Sequence, residues 1–552
     1  MPEYLSPGVY VEEQNTGTRL IEGVSTSTAG LVGQTRRGPT RPTLVTSWLE
    51  FTRRYGDLTD PEKQGYLSWG VHGFFANGGR RAYIARVVGP NARTAECRLT
   101  VGEGGGDKPE FSLKASGPGV WGNGLYVSIG KASQDRGAGA RTADLFSLRI
   151  FYFEGAVPPL LIDPTNPANA GLPGFTAPSD QEFYDNLSPD PLSPSFAPTV
   201  VNAVSDLVRM SRLPAASKVP EPALPGVAVE TPLNGGADPV HLENGADNGA
   251  PLTASDYSGD GDRPGTEPAN RTGLAGLAAI RDIALLAVPD QDETRLPGIT
   301  GMMVGQCERN RDRFCILQFP KSTPFSGLTP PMDSSYAAIY HPWLNVLTPD
   351  GGHVLPVPPA GHLAGLYART DISRGVYKAP ANEPLRGLLT QDVGAAGPVV
   401  TRVTTGEQDL LNPRGINCIR DFRYMGRDVR VWGARTLSSD SRWRYVNVRR
   451  LFIFVEQSIE RGTQWVVFEP NDTYTWNRLV SSVSGFLNTL WHNGALLGAT
   501  PQEAFFVRCD ATTMTRDDID NGRLVCNVGI APVKPAEFVI FRFSQRTAGA
   551  AN

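Results

Sequence analysis

Few residues in this chain stand at spacings that could do chemistry. Gly117-Pro-Gly-Val-Trp-Gly122 reproduces the GxGxxG string that holds dinucleotide phosphates. That chemistry needs the glycines to open a helix whose N-terminus faces the pyrophosphate. Here Asn123-Gly124 and a strand-like run follow, so a tight turn between two strands is expected. Asp256, Asp260 and Asp262 sit in Asp-Tyr-Ser-Gly-Asp-Gly-Asp, which loosely suggests a calcium loop. The alternating ligand positions and the closing Glu of such a loop are missing, so a polar turn is the expectation. The histidines at 72, 241, 341, 353, 362 and 492 include no HExxH and no pair at helical ligand spacing. There is no GxSxG elbow, and Gly130-Lys131 runs into Ala, which fails the Walker pattern. The cysteines at 97, 307, 315, 418, 509 and 526 form no CxxC pair, and none has a credible local base. A chain with no catalytic residue, no cofactor and no metal is expected.

The Arg-dense stretch from Arg414 to Arg461 could bind phosphates. Asp421, Asp428, Asp440, Glu456 and Glu460 interleave with it, so pairing within or between subunits is expected instead of nucleic acid. Net charge is −4, which makes the 552-residue chain no electrostatic trap for nucleic acid. Among the cations 8 are Lys and 44 are Arg. Arg makes forked pairs and is enriched at protein interfaces, although a GC-rich genome gives the same bias. Several cysteines lie in apolar runs, as buried thiols of a reducing compartment do. No basic-then-apolar leader opens the chain, and no apolar run approaches the ~20 residues of a membrane span. The expectation is cytoplasmic synthesis and assembly.

The elements that must carry these residues fall into three textures. Ala29–Gly33 reads as a strand, 47–55 and 66–77 as helices, and 81–88 as a strand, the second helix stopping at Asn77-Gly78-Gly79. From about 90 to 265 short strand runs (111–114, 125–129, 146–153) alternate with Pro/Gly-rich stretches, an inserted β-rich region with long loops. From about 271 continuous apolar strands return at 283–288 and 314–319, as where helices cover both sheet faces. Residues 291–312 read as a helix weakened by Pro297 and Gly298. Apolar stripes at helical spacing mark 446–461 and 475–492. Strand-like runs follow at 465–468, 504–507 and 524–528. The fold class expected is mixed α/β (α+β), with a discontinuous α/β core built from both chain ends. The division is 1–20 (N-terminal arm), 21–90 (first part of the core), 91–270 (β-rich insertion), 271–530 (main part of the core) and 531–552 (C-terminal arm).

Both ends are written as strands with no obvious partner beside them. Val9, Tyr10, Val11 and Glu12 form the heart of one; Val539, Ile540, Phe541, Arg542 and Phe543 form the heart of the other. Unpaired apolar strands seek another edge, which makes them candidates for addition to neighbouring copies. Pairing within their own sheet, or fraying, is the plainer alternative. The first arm carries Glu3, Glu12 and Glu13, and the last segment carries Lys534, Arg542 and Arg546 against Glu537. Opposite signs favour pairing of one arm with the other over pairing of like arms.

Several segments carry a family resemblance. They include Leu5-Ser-Pro-Gly-Val-Tyr-Val-Glu12, Gly119-Val-Trp-Gly-Asn123, Arg271-Thr-Gly-Leu-Ala-Gly-Leu277 and Ala287-Val-Pro-Asp290. Ser334–Ala338, Val357–His362, Ala379–Asn382 and Asn412-Pro-Arg-Gly-Ile-Asn417 continue the series, and 431–437, 445–451, 464–471 and 531–538 are its most specific blocks. In these the chain resembles the sheath proteins of contractile phage tails and phage-tail-like injection systems. The resemblance covers most of 1–90 and nearly all of 271–545, and touches the insertion only at isolated points. It implies a non-enzymatic subunit in six-fold rings stacked helically around an inner tube, with terminal arms lending strands to neighbours. Contraction would drive the tube through a target envelope. The partners implied are further copies of the chain, an inner tube protein, and baseplate and tail-terminator or cap proteins, with no nucleic acid and no direct membrane insertion. The particle so built is a phage tail, or a phage-tail-like injector that is released or cell-anchored. The α/β core alone is also compatible with a soluble hydrolase-like enzyme, and strand exchange alone with a particle component that does not contract.

Overall fold

The computed structural model describes residues 20–100, 110–136, 145–155, 164, 167–213, 240–260 and 271–542. Its centre is an eight-stranded sheet in the order 429–431, 416–421, 337–341, 314–318, 285–287, 29–33, 82–86, 43–45. The six inner strands run parallel and the two edge strands antiparallel. Ala29–Gly33, Leu285–Ala287 and Phe314–Gln318 are buried at every position, because helices cover both faces of a parallel sheet. The sheet therefore draws strands from both sides of residues 91–270, and the mixed α/β class stands.

On one face the helices Leu67–Ala76 and Ala360–Arg374 cross in close contact. A Cβ on Gly361 would lie 2.3 Å from the Gly70 carbonyl oxygen, so only glycine lets the two backbones meet. We expect Gly361→Ala to cost about 2–3 kcal/mol, read as a lowered thermal midpoint and faster amide exchange in both helices. The other face carries Ala254–Ser258, Gly273–Ala278 and Ile299–Asn310.

The inserted region holds a three-stranded sheet (96–100, 110–115, 208–212) and a four-stranded sheet (240–241, 125–131, 146–152, 180–187). Their inner faces share one core with Ala197–Val204. A fourth core lies between Val446–Gly462, Thr473–His492 and the C-terminal hairpin, in which Phe505–Arg508 pairs antiparallel with Asn527–Ile530.

Three expectations are corrected. The helix expected over 291–312 begins only at Ile299, because Gly298 is left-handed at its N-cap (φ 86°). Glu293 accepts hydrogen bonds from the Gly298 and Thr300 amides there, at 2.7 Å each, and closes 291–298 into turns. The run 465–468 is no strand: Gln464–Val466 is a single 3-10 turn, and Phe468 takes φ 68°. The strand expected from 524 starts at Asn527.

Candidate functional site

The motif residues first considered for chemistry serve packing. Gly117 lies where a Cβ would come 2.0 Å from the Gly38 carbonyl, and the buried Arg86 guanidinium donates to the carbonyls of Gly38 (2.9 Å) and Pro118 (2.7 Å). A 3-10 turn, Val120–Gly124, then leads into the strand Leu125–Lys131. The glycine string thus lets the insertion approach the central sheet. Asp256 caps the helix Ala254–Ser258, accepting from the Thr253 amide at 2.7 Å. Asp260 lies just beyond that helix, and Asp262 falls outside the described residues. Among the described residues no group of three or more His, Cys, Asp or Glu is arranged to hold a metal ion, and no helix is long and apolar enough to cross a membrane.

Ligands of open α/β sheets bind beyond the strand C-termini, where strand order reverses. Here that point lies between Gly33 and Asp290. The Asp290 carboxylate occupies it, fully buried, accepting from the Tyr66 amide and from the Tyr257 hydroxyl (2.8 Å). Burial raises its pKa, with those two donors opposing. The carboxylate packs against Gly33 and Gly65, which leave it room.

The Arg-rich stretch is largely paired inside the chain. Arg423 bridges Asp421 and Asp392, Arg442 meets Asp440, Arg461 meets Asp282, and Arg449 lies 3.5 Å from the Trp443 ring centre. Arg450 makes the deepest pair, with both nitrogens on Asp371 (2.6 and 2.9 Å) and side chains 3% and 2% exposed.

The arms are rooted on the C-terminal unit. Residues 20–28 run beside the helix Val446–Gly462: Ile21 packs on Gly462, the Val24 amide donates to Ser458, and Arg450 donates to the Thr26 carbonyl. At the other end of that helix the C-terminal extension crosses and is clamped. Arg435 donates to both oxygens of Glu537 (2.8 and 2.7 Å), Asn412 donates to one (2.9 Å) and the Tyr445 hydroxyl to the other (3.1 Å). The discontinuous core does not bring the two roots together. They sit at opposite ends of a 17-residue helix, roughly 25 Å apart.

Burial opposes ionisation of Glu537, but Arg435, Asn412 and Tyr445 outweigh it and hold the carboxyl below its ordinary value. A depressed folded value means the clamp is complete above the ordinary Glu pKa of 4.5 and is lost as pH falls through the folded value. Glu537→Gln should loosen the extension by about 2 kcal/mol. Limited proteolysis near residue 535 checks this: the variant is cut faster at pH 7, and acidification erases the difference.

Beyond the clamp the described residues are solvent-exposed. Phe538, Val539, Ile540 and Phe541 are 70–78% exposed, Arg542 is exposed, and no ladder pairs them among the described residues. Val9, Tyr10, Val11, Glu12 and Phe543 lie outside the described residues. The C-terminal hairpin is a two-stranded sheet whose outer edges pair with no strand among the described residues. It leans on Thr473–His492 and leaves Phe506 and Val528 partly exposed. Two-stranded sheets are marginal alone, and open edges attract further strands. Sequence reading missed both the clamp and the hairpin's open edges. The one signal for the clamp was the motif series: Arg435, Tyr445 and Glu537 fall in its most specific blocks, and Asn412 opens the segment 412–417 of the same series.

Comparison with known proteins adds a second line. Residues 266–437 match the family described as "Phage tail sheath protein central domain", and 438–546 match "Phage tail sheath C-terminal domain", together just over half of the chain. A prophage major tail sheath protein of Pseudomonas aeruginosa (strain UCBPP-PA14) is 31% identical over 189 residues, 34% of this chain and 45% of that protein. The tail sheath protein of Enterobacteria phage T4 is 29% identical over 195 residues, 35% of this chain and 28% of that protein. The chain thus spans less than half the length of these curated relatives. In solved structures the fold is similar to the contracted helical sheath of the anti-feeding prophage, with TM-score 0.54 and 24% identity over 98% of this chain and 100% of that one.

Proposed function

The chain belongs to the phage tail sheath protein family, and we propose that it is a structural subunit of a contractile sheath. The observation that carries this reading is the Glu537 clamp: it fixes the root of an apolar segment with four exposed large side chains and no strand partner among the described residues. The hairpin of 505–508 and 527–530 has open edges of the kind such a segment completes. In this reading Val539, Ile540, Phe541, Arg542 and Phe543 of one copy, and Val9, Tyr10, Val11 and Glu12 of another, add as strands to a neighbour's hairpin. Roots at opposite ends of one helix direct the two arms toward different neighbours, which propagates a lattice instead of closing a pair.

Residues 21–90 and 271–530 form the sheath body, 91–270 an outer insertion, and 1–20 and 531–552 the linking arms. The rings are six-fold and surround an inner tube. The sheath ends on baseplate and terminator or cap proteins, and assembly occurs in the cytoplasm before the particle is released or anchored. Work comes from the difference between two packings of these bodies while the arms keep them linked, with no catalysis, cofactor or nucleic acid. Electron microscopy of the purified full chain tests this. Rings or striated tubes are expected. A monomer at all concentrations, stabilised by a small ligand, would favour the enzyme reading.

A further inference from the structure

The ladder of the C-terminal hairpin ends with Arg508 opposite Asn527, and one step further Cys509 faces Cys526. Side chains alternate along a strand, so Cys509 and Cys526 share the inward face with Phe505, Val507 and Ile530. Both thiols belong to the same core and lie within hydrogen-bonding contact of each other. Directly opposed antiparallel residues have Cα atoms about 4.5–5.5 Å apart, inside the about 4.4–6.8 Å a disulfide spans. Thr513 Oγ1 donates to the Val525 carbonyl at 2.8 Å and holds the intervening turn against the same end. We propose that Cys509 and Cys526 are a disulfide-forming pair, oxidised by a low-molecular-weight disulfide of the glutathione type, that staples the loop end of the C-terminal hairpin.

Cys526 is partly exposed and Cys509 buried, which sets their order. The Cys526 thiolate attacks a sulfur of the external disulfide, breaking its S–S bond and releasing one thiol. Cys509 then attacks the mixed disulfide at Cys526 and releases the second. One external S–S bond is lost, one internal bond forms, and two electrons and two protons leave on the two released thiols. Burial raises the pKa of both thiols, Cys526 to about 11, so exchange is slow and needs excess oxidant. Cys307 and Cys315 also touch, but both are wholly buried where the helix Ile299–Asn310 packs on the central sheet, and no oxidant reaches them.

The test treats the reduced full chain with excess oxidised glutathione and maps disulfides by mass spectrometry after non-reducing digestion. A peptide joining Cys509 to Cys526, absent after dithiothreitol, is expected, with Cys307 and Cys315 still alkylatable after unfolding. The oxidised chain should melt about 5 °C higher in the C-terminal unit. Cys526→Ser, verified by an unchanged circular dichroism spectrum, should lose both the joined peptide and the shift, while Cys97→Ser should keep them. Glutathione adducts at Cys526 without the joined peptide, or no reaction at all, would overturn the assignment.

Discussion

A chain truncated after Glu537 is expected to remain a folded, soluble protomer that forms no tubes. The clamp stays intact, and none of the buried hydrophobic clusters contains a residue after Glu537, so its melting curve should match that of the full chain. What disappears is Phe538 to Phe541, whose half-burial in a neighbour contributes about 3–6 kcal/mol. Each lost ladder hydrogen bond removes about 0.5–1.5 kcal/mol more. Association costs about 4–15 kcal/mol, so one arm alone barely holds two subunits, and the lattice relies on every subunit being linked at both ends. Sedimentation and negative-stain images read the result. Tubes of normal length and abundance from the truncated chain would remove the basis of the strand-exchange reading.

Arg450→Ala should be the most damaging single substitution in the body. It strips the partner from Asp371 and the donor from the Thr26 carbonyl, at a site where neither side chain reaches solvent. Losing one member of a buried pair costs about 3–5 kcal/mol. Burial already raises the Asp371 pKa, and Arg450 is the main force against it. Without Arg450 the folded carboxyl binds a proton more tightly than the unfolded one. The variant therefore gains stability as pH falls toward the raised value, and its deficit is smaller at pH 5 than at pH 8. Denaturant melts at both pH values check the sign. The paired change Arg450→Met with Asp371→Leu should recover most of the loss, because two apolar groups leave no charge stranded.

These two sites differ in how far the linear chain announces them. The apolar run Val539-Ile-Phe-Arg-Phe543 stands out in the sequence because alternation and composition are local properties; its addition to a neighbour's sheet is our proposal. The same locality holds for the buried strands read at 29–33 and 314–319 and for the stripes read at 446–461 and 475–492. The pairing of Arg450 with Asp371 was not legible, since the two stand 79 positions apart in sequence. Pro297-Gly298 was read as a weak point inside a helix; it is the start of one, because Glu293 supplies the cap from outside the periodic segment.

The sequence by itself determined that the body is layered α/β, since buried strands and apolar helical stripes follow from neighbours within a few residues; that the ends are strands for a neighbour's sheet is its expectation and our proposal. Tertiary structure alone decided where the arms are anchored, how far apart their roots lie, and that a glycine string at 117–122 is a packing joint. Those outcomes depend on which carboxylate meets which guanidinium, and on how closely two backbones pass, across separations of tens to hundreds of residues.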